Sequence, residues 1–149
     1  MSAVSEPLPT STSRWPLKDE YQKRIAVVDD VLAVRTGLKR LLRSAGFEAA
    51  AYPSGDEFLN SLEAIHPDCL ILDLRMPDRD GFEVLARLAE LDSDFPVVVL
   101  TSYPSPDVRR KAIEAGVSAF LEKPVDRSVL LDAIELALAP SESNQHAHQ

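Results

Sequence analysis

Asp29, Asp30, Asp73, Thr101, Ser102 and Lys123 stand at or just beyond the carboxyl ends of short apolar runs in this 149-residue chain. The runs are RIAVV (Arg24 to Val28), DCLIL (Asp68 to Leu72), PVVVLT (Pro96 to Thr101) and SAFLEK (Ser118 to Lys123). Three carboxylates gathered in one pocket repel and raise one another's pKa unless a cation joins them. Lys123 supplies a single positive charge, too little for three acids. A hard divalent cation with oxygen ligands completes the balance, and Mg²⁺ is the usual choice where few carboxylates leave room for water and phosphate oxygens. No His or Cys stands at these run ends, which argues against zinc. A carboxylate, a hydroxyl, an ammonium and a metal suit a phosphoryl group. The carboxylate can attack phosphorus to give an acyl phosphate, while metal and lysine neutralise charge on the equatorial oxygens.

Residues so far apart in the chain meet only if a regular scaffold brings them together. β-branched runs alternate with helical patterns along the middle of the sequence. Strands are predicted over 24–28, 47–52, 68–72, 96–101 and 118–123, and helices over 31–45, 54–65, 81–91, 107–115 and 127–138. Ser54 is a candidate N-cap, and Gly46 and Gly116 are candidate helix ends. Five βα units in strict alternation specify an α/β doubly wound parallel sheet with helices on both faces. Strands one, three and four are almost continuously apolar, as strands covered on both sides require. In such sheets ligands bind beyond the carboxyl ends of the strands, where the strand order reverses. Every residue of the candidate set falls at that edge.

The totals agree. With 45% apolar residues the chain has the size and composition of one globular domain. A net charge of −8 argues against a surface that tracks nucleic acid or an anionic membrane. Cys69 is the only cysteine, so no disulfide framework or thiolate cluster is available, and a cytoplasmic location is expected. Residues 1–22, rich in Ser, Thr and Pro, are expected to be a disordered extension in which Trp15 and Leu17 are the residues able to dock. Residues 140–149 are expected to be a flexible tail holding His146 and His148, and residues 23–139 to be the folded domain.

VVDD (Val27 to Asp30), LILDLRMPDRDG (Leu70 to Gly81), VVVLTS (Val97 to Ser102) and FLEKP (Phe120 to Pro124) stand in order and in register. Together they resemble the receiver domain of two-component response regulators, closest in flavour to receivers of FixJ-type transcription factors. The resemblance implies a flavodoxin-like (βα)5 fold with strand order 2-1-3-4-5. It implies Asp73 as phosphoacceptor, with Thr101 and Lys123 contacting the phosphoryl group. Mg²⁺ would be held by Asp30 directly, by Asp29 largely through water, by Asp73 and by the backbone carbonyl of Arg75. Phe120 would be the aromatic switch and Pro124 would follow a cis peptide bond. The donor would be a sensor histidine kinase or a histidine phosphotransfer protein. A downstream protein would bind the face of the fourth helix, which the resemblance also links to a phosphorylation-dependent homodimer. No direct contact with nucleic acid or membrane is expected of this chain, which is either a stand-alone receiver or part of a DNA-binding regulator.

The alternatives differ at single positions. A Mg²⁺-dependent aspartate-nucleophile phosphatase needs a second acid two residues past the nucleophile; that position is Arg75, so an enzyme is not expected. A flavin or nucleotide binder needs a Gly- or Ser/Thr-rich phosphate loop after the first strand, where this chain has acidic DDVLAV. A binding module that is never phosphorylated remains the other alternative, disfavoured because the whole residue set is present. The basic stripe of Arg35, Lys39 and Arg43 is either a solvated helix face or a kinase-docking surface. Bulky Arg75 and Tyr103 are positioned to alter the lifetime of an acyl phosphate.

Overall fold

The computed structural model describes residues 22–76, 80–102 and 104–139. Apolar side chains on both faces of a strand can be buried only if helices cover both sides, and the architecture follows from that need. Strands β1 (Arg24–Val28), β2 (Glu48–Tyr52), β3 (Cys69–Leu72), β4 (Val97–Thr101) and β5 (Ala119–Glu122) form one parallel sheet. Their order is β2-β1-β3-β4-β5. The helices are α1 (Leu32–Ser44), α2 (Gly55–Ser61), α3 (Gly81–Glu90), α4 (Pro106–Glu114) and α5 (Arg127–Leu138).

The period-two alternation divides the core in two. Ile25, Val27, Ile71 and Val98 point to the side where Leu38 and Leu42 of α1 and Leu130 and Ile134 of α5 pack. Ala26, Val28, Leu70 and Val99 point the other way, onto Phe58 of α2, Val84 and Leu88 of α3 and Ala112 of α4. Phe58 meets Tyr52 and Phe95 edge-on, with ring centroids 5.6 and 6.2 Å apart, a geometry that suits the ring quadrupoles.

Local chemistry sets the helix ends. The Oγ of Ser54 accepts the Glu57 N–H, Asp80 accepts the Glu83 N–H, and Ser105 accepts the Val108 N–H ahead of Pro106. Each satisfies an orphan donor of the first turn. Gly46 and Gly116 follow α1 and α4 at φ 95° and 91°, a left-handed conformation that favours glycine.

The second helix differs from its sequence pattern. Expected to run to Ile65, α2 stops at Ser61. The Ser61 hydroxyl donates to the Phe58 carbonyl at 2.6 Å, and the next N–H groups turn to i−3 carbonyls, as in Leu62 to Leu59 and Ala64 to Ser61. A serine that bonds back onto the helix competes with the α ladder, and Pro67 lies just downstream. Other boundaries move by a residue at most. Trp15, Leu17, Tyr103, His146, His148, the 140–149 tail and all but Gln22 of the N-terminal extension lie outside the described residues. Among the described residues no helix is long and apolar enough to cross a membrane.

Candidate functional site

Three of the sequence-selected residues lie one step beyond a strand and continue its ladder. The Asp29 N–H donates to the Tyr52 carbonyl (3.2 Å), the Asp73 N–H to Val28 (3.0 Å) and the Lys123 N–H to Thr101 (2.8 Å). The sheet thus grips the backbone at the root of these three side chains, so their spacing is that of the strands.

The side chains converge. Lys123 Nζ lies 2.6 Å from Asp29 Oδ2 and 3.5 Å from Asp73 Oδ2. Asp29, Asp30 and Asp73 each offer a carboxylate oxygen, and these oxygens lie within 4.8 Å of one another. Asp29 and Asp73 are buried and Asp30 is exposed, so the cluster has a closed floor and one side open to solvent. Its donors are all carboxylate oxygens, with no nitrogen or sulfur among them, a set that fits a hard divalent cation.

Neighbouring amides hold the acids in place. The Arg75 N–H donates to Asp73 Oδ1 at 3.1 Å, and the Val31 N–H to Asp29 Oδ1 at 2.9 Å. Val31, not an aspartate, is the N-cap of α1, and its side chain caps nothing; the acidic pair faces the cluster. Burial pushes the Asp73 carboxyl above its ordinary value. The Arg75 N–H and the Lys123 ammonium pull it down, and the Asp29 charge raises it again. Asp73 is therefore a carboxylate kept short of solvation, which a cation or an electrophile beside it would relieve.

Thr101 ends β4, fully buried, and its carbonyl carries the Lys123 amide. The Lys123–Pro124 peptide bond is cis. Phe120 is half-buried on β5 and stands apart from the acids: it packs on the α2–α3–α4 side of the core and lines a hollow with Pro104, Arg109 and Glu122. The Arg109 guanidinium lies 5.5 Å from its ring centroid, within cation–π range. The Arg75 side chain is exposed.

Two contributors escaped the sequence reading. Arg35, taken there as one of a basic stripe, is half-buried and donates from Nη1 to the Asp29 carbonyl at 2.9 Å. Its position one turn into the helix behind an acidic pair was the available signal. Gly81 follows the Asp80 N-cap, and a Cβ there would sit 2.7 Å from the Leu74 Cα and 2.8 Å from the Asp73 carbonyl oxygen. The start of α3 thus rests directly on the backbone that carries Asp73, and the Gly81 N–H donates to the Leu74 carbonyl.

Fold and site together define a doubly wound α/β module with an acidic pocket and a lysine at the carboxyl edge of its sheet. The chain belongs to the response regulator receiver domain family, whose model matches residues 25–135. It is 36% identical over 130 residues to the response regulator protein TmoT of Ectopseudomonas mendocina, covering 87% of this chain and 59% of that protein. It is 36% identical over 118 residues to the transcriptional regulatory protein FixJ of Bradyrhizobium diazoefficiens, covering 79% and 58%. The crystal structure of a response regulator receiver protein from Burkholderia phymatum matches with a TM-score of 0.72 and 40% identity, covering 78% of this chain and 95% of that one. The chain spans a little over half the length of these two curated relatives.

Proposed function

We propose that Asp73 accepts a phosphoryl group from the phosphohistidine of a sensor histidine kinase or a histidine phosphotransfer protein, in a Mg²⁺-dependent reaction in the cytoplasm. The observation that carries this reading is the meeting of a poorly solvated Asp73 carboxylate with two further acids within 4.8 Å and an ammonium at 3.5 Å. A P–O bond forms to an Asp73 oxygen as the P–N bond breaks, and the imidazole leaves with the bonding electron pair. Asp29, Asp30 and Asp73 would hold the Mg²⁺, with the Arg75 carbonyl a further ligand by likeness to the family. When bound, the ion supplies charge neutralisation for the transferring group.

Lys123 would turn from Asp29 toward a phosphoryl oxygen, and the Thr101 hydroxyl would be the neutral donor of the set. The product is a phosphorylated state of the chain rather than a released molecule, so the chain acts as a signalling acceptor and not as an enzyme. Movement of Thr101 toward the phosphoryl group would free room for Phe120 and shift the population of the α4–β5–α5 face toward a partner-binding or homodimeric form. A second reading places the same switch inside a longer DNA-binding regulator. The 36% identity to FixJ, a protein named as a transcriptional regulator, favours it.

Intact mass after incubation with acetyl phosphate tests the reading. One phosphoryl adduct is expected with Mg²⁺, none with chelator, and none in Asp73→Asn. An adduct that persists in Asp73→Asn would refute Asp73 as the acceptor.

A further inference from the structure

A groove of about 870 Å³ runs between α2 and the end of α3 and takes no part in the site described above. Leu59, Leu91 and Phe95 give it an apolar lining, and Leu91 is 47% exposed, a large apolar residue left open to water. Glu63, Asp92 and Asp94 make its rim acidic. The one arginine there, Arg87, is paired with Glu90 at 3.0 Å. An apolar floor inside a negative rim suits a segment with apolar side chains flanked by cations.

The chain contains such a segment. Arg14–Trp15–Pro16–Leu17–Lys18 places Trp15 and Leu17 between two basic residues, in the stretch that precedes the described residues. It is also within reach. The chain enters β1 at Arg24, whose N–H and carbonyl both bond to Asp68, at 2.7 and 2.8 Å. His66, two residues before Asp68, lines the groove. Leu70, next but one after Asp68, donates to Pro96, the neighbour of the groove residue Phe95. Trp15 precedes Gln22 by seven residues, a stretch that spans up to roughly 23 Å when extended.

We propose that Arg14–Lys18 of this chain seats in the α2–α3 groove, Trp15 covering Leu91 and Phe95 and the two cations facing the acidic rim. Seated there, the segment would tie α2 to α3.

Trp15 is the only tryptophan, so fluorescence of the intact chain reports on it alone. The expected result is blue-shifted emission, shielded from acrylamide and independent of protein concentration. Leu91→Lys is expected to shift the emission to that of free tryptophan. So is the double variant Arg14→Glu/Lys18→Glu, which leaves the folded domain untouched. Leu136→Lys, at a 78% exposed position on α5, is expected to change nothing. Emission of free tryptophan in the unaltered chain would overturn the proposal and leave the groove to an outside partner. Shielding that grows with concentration would overturn it in favour of a second copy. Shielding indifferent to both groove-directed variants would mean that Trp15 seats elsewhere.

Discussion

The Lys123 ammonium bridges two acids unequally, lying 2.6 Å from an oxygen of Asp29 and 3.5 Å from an oxygen of Asp73. Asp73 is thereby left with its burial only partly offset, and the lysine remains available to turn. Lys123→Met strips the cluster of its cation and leaves Asp29, with a side chain 3% exposed, charged and unpaired by it. A loss of about 3 kcal/mol is expected in denaturant unfolding. Asp29→Asn added to Lys123→Met should recover most of it, because the charge left behind is then gone. A loss unchanged by the second substitution would mean that Lys123 acts through packing alone.

The pH dependence has a definite sign. The folded state raises the Asp73 pKa above its ordinary value of 3.8, chiefly through burial. The folded chain therefore binds more protons than the unfolded chain between those two values. The Asp73 contribution to stability is present in full below the unfolded pKa and is lost as pH rises through the folded one. Asp73→Asn should be more stable than the unaltered chain at neutral pH, and the gap should close on acidification. Unfolding free energies across that range provide the check, and an Asn variant less stable at neutral pH contradicts it.

Mg²⁺ should stabilise the fold. At a hundred times its Kd, a ligand confined to the folded state adds about 2.7 kcal/mol, read as a rise in melting temperature. Asp30 is exposed, so Asp30→Asn should change the metal-free stability by no more than about 0.5 kcal/mol while removing most of the Mg²⁺ response. A full response in that variant would place the ion elsewhere.

Gly81 has no room for a side chain. A Cβ would lie 2.7 Å from Leu74 and 2.8 Å from the Asp73 carbonyl oxygen, backbone that cannot swing aside. Gly81→Ala should cost about 1–3 kcal/mol and slow phosphorylation of Asp73 by acetyl phosphate, since relief of the clash moves the acceptor. Unchanged stability together with an unchanged adduct rate would show that α3 gives way instead.

Much of this protein is written locally. Strands such as Val97 to Leu100 are apolar throughout because both faces are covered, and that pattern announces a parallel sheet before any contact is known. Asp29, Asp73, Thr101 and Lys123 are legible because a polar residue ending such a run marks the carboxyl edge of the sheet. The helix caps at Ser54, Gly46 and Gly116 are equally short-range and were equally readable. The early end of α2 was not, because it depends on the Ser61 hydroxyl choosing the Phe58 carbonyl over solvent.

The sequence by itself determined the alternation of strands and helices and the kinds of chemical group delivered to one sheet edge, since both follow from periodicity and residue type. Only the tertiary structure decided how those groups are shared. Distances between side chains ninety-four residues apart, as for Asp29 and Lys123, depend on strand register and packing, which no local pattern encodes. The same holds for Arg35, turned in from a basic stripe onto the Asp29 carbonyl, and for Gly81, whose missing side chain matters only because the backbone around Asp73 lies against it.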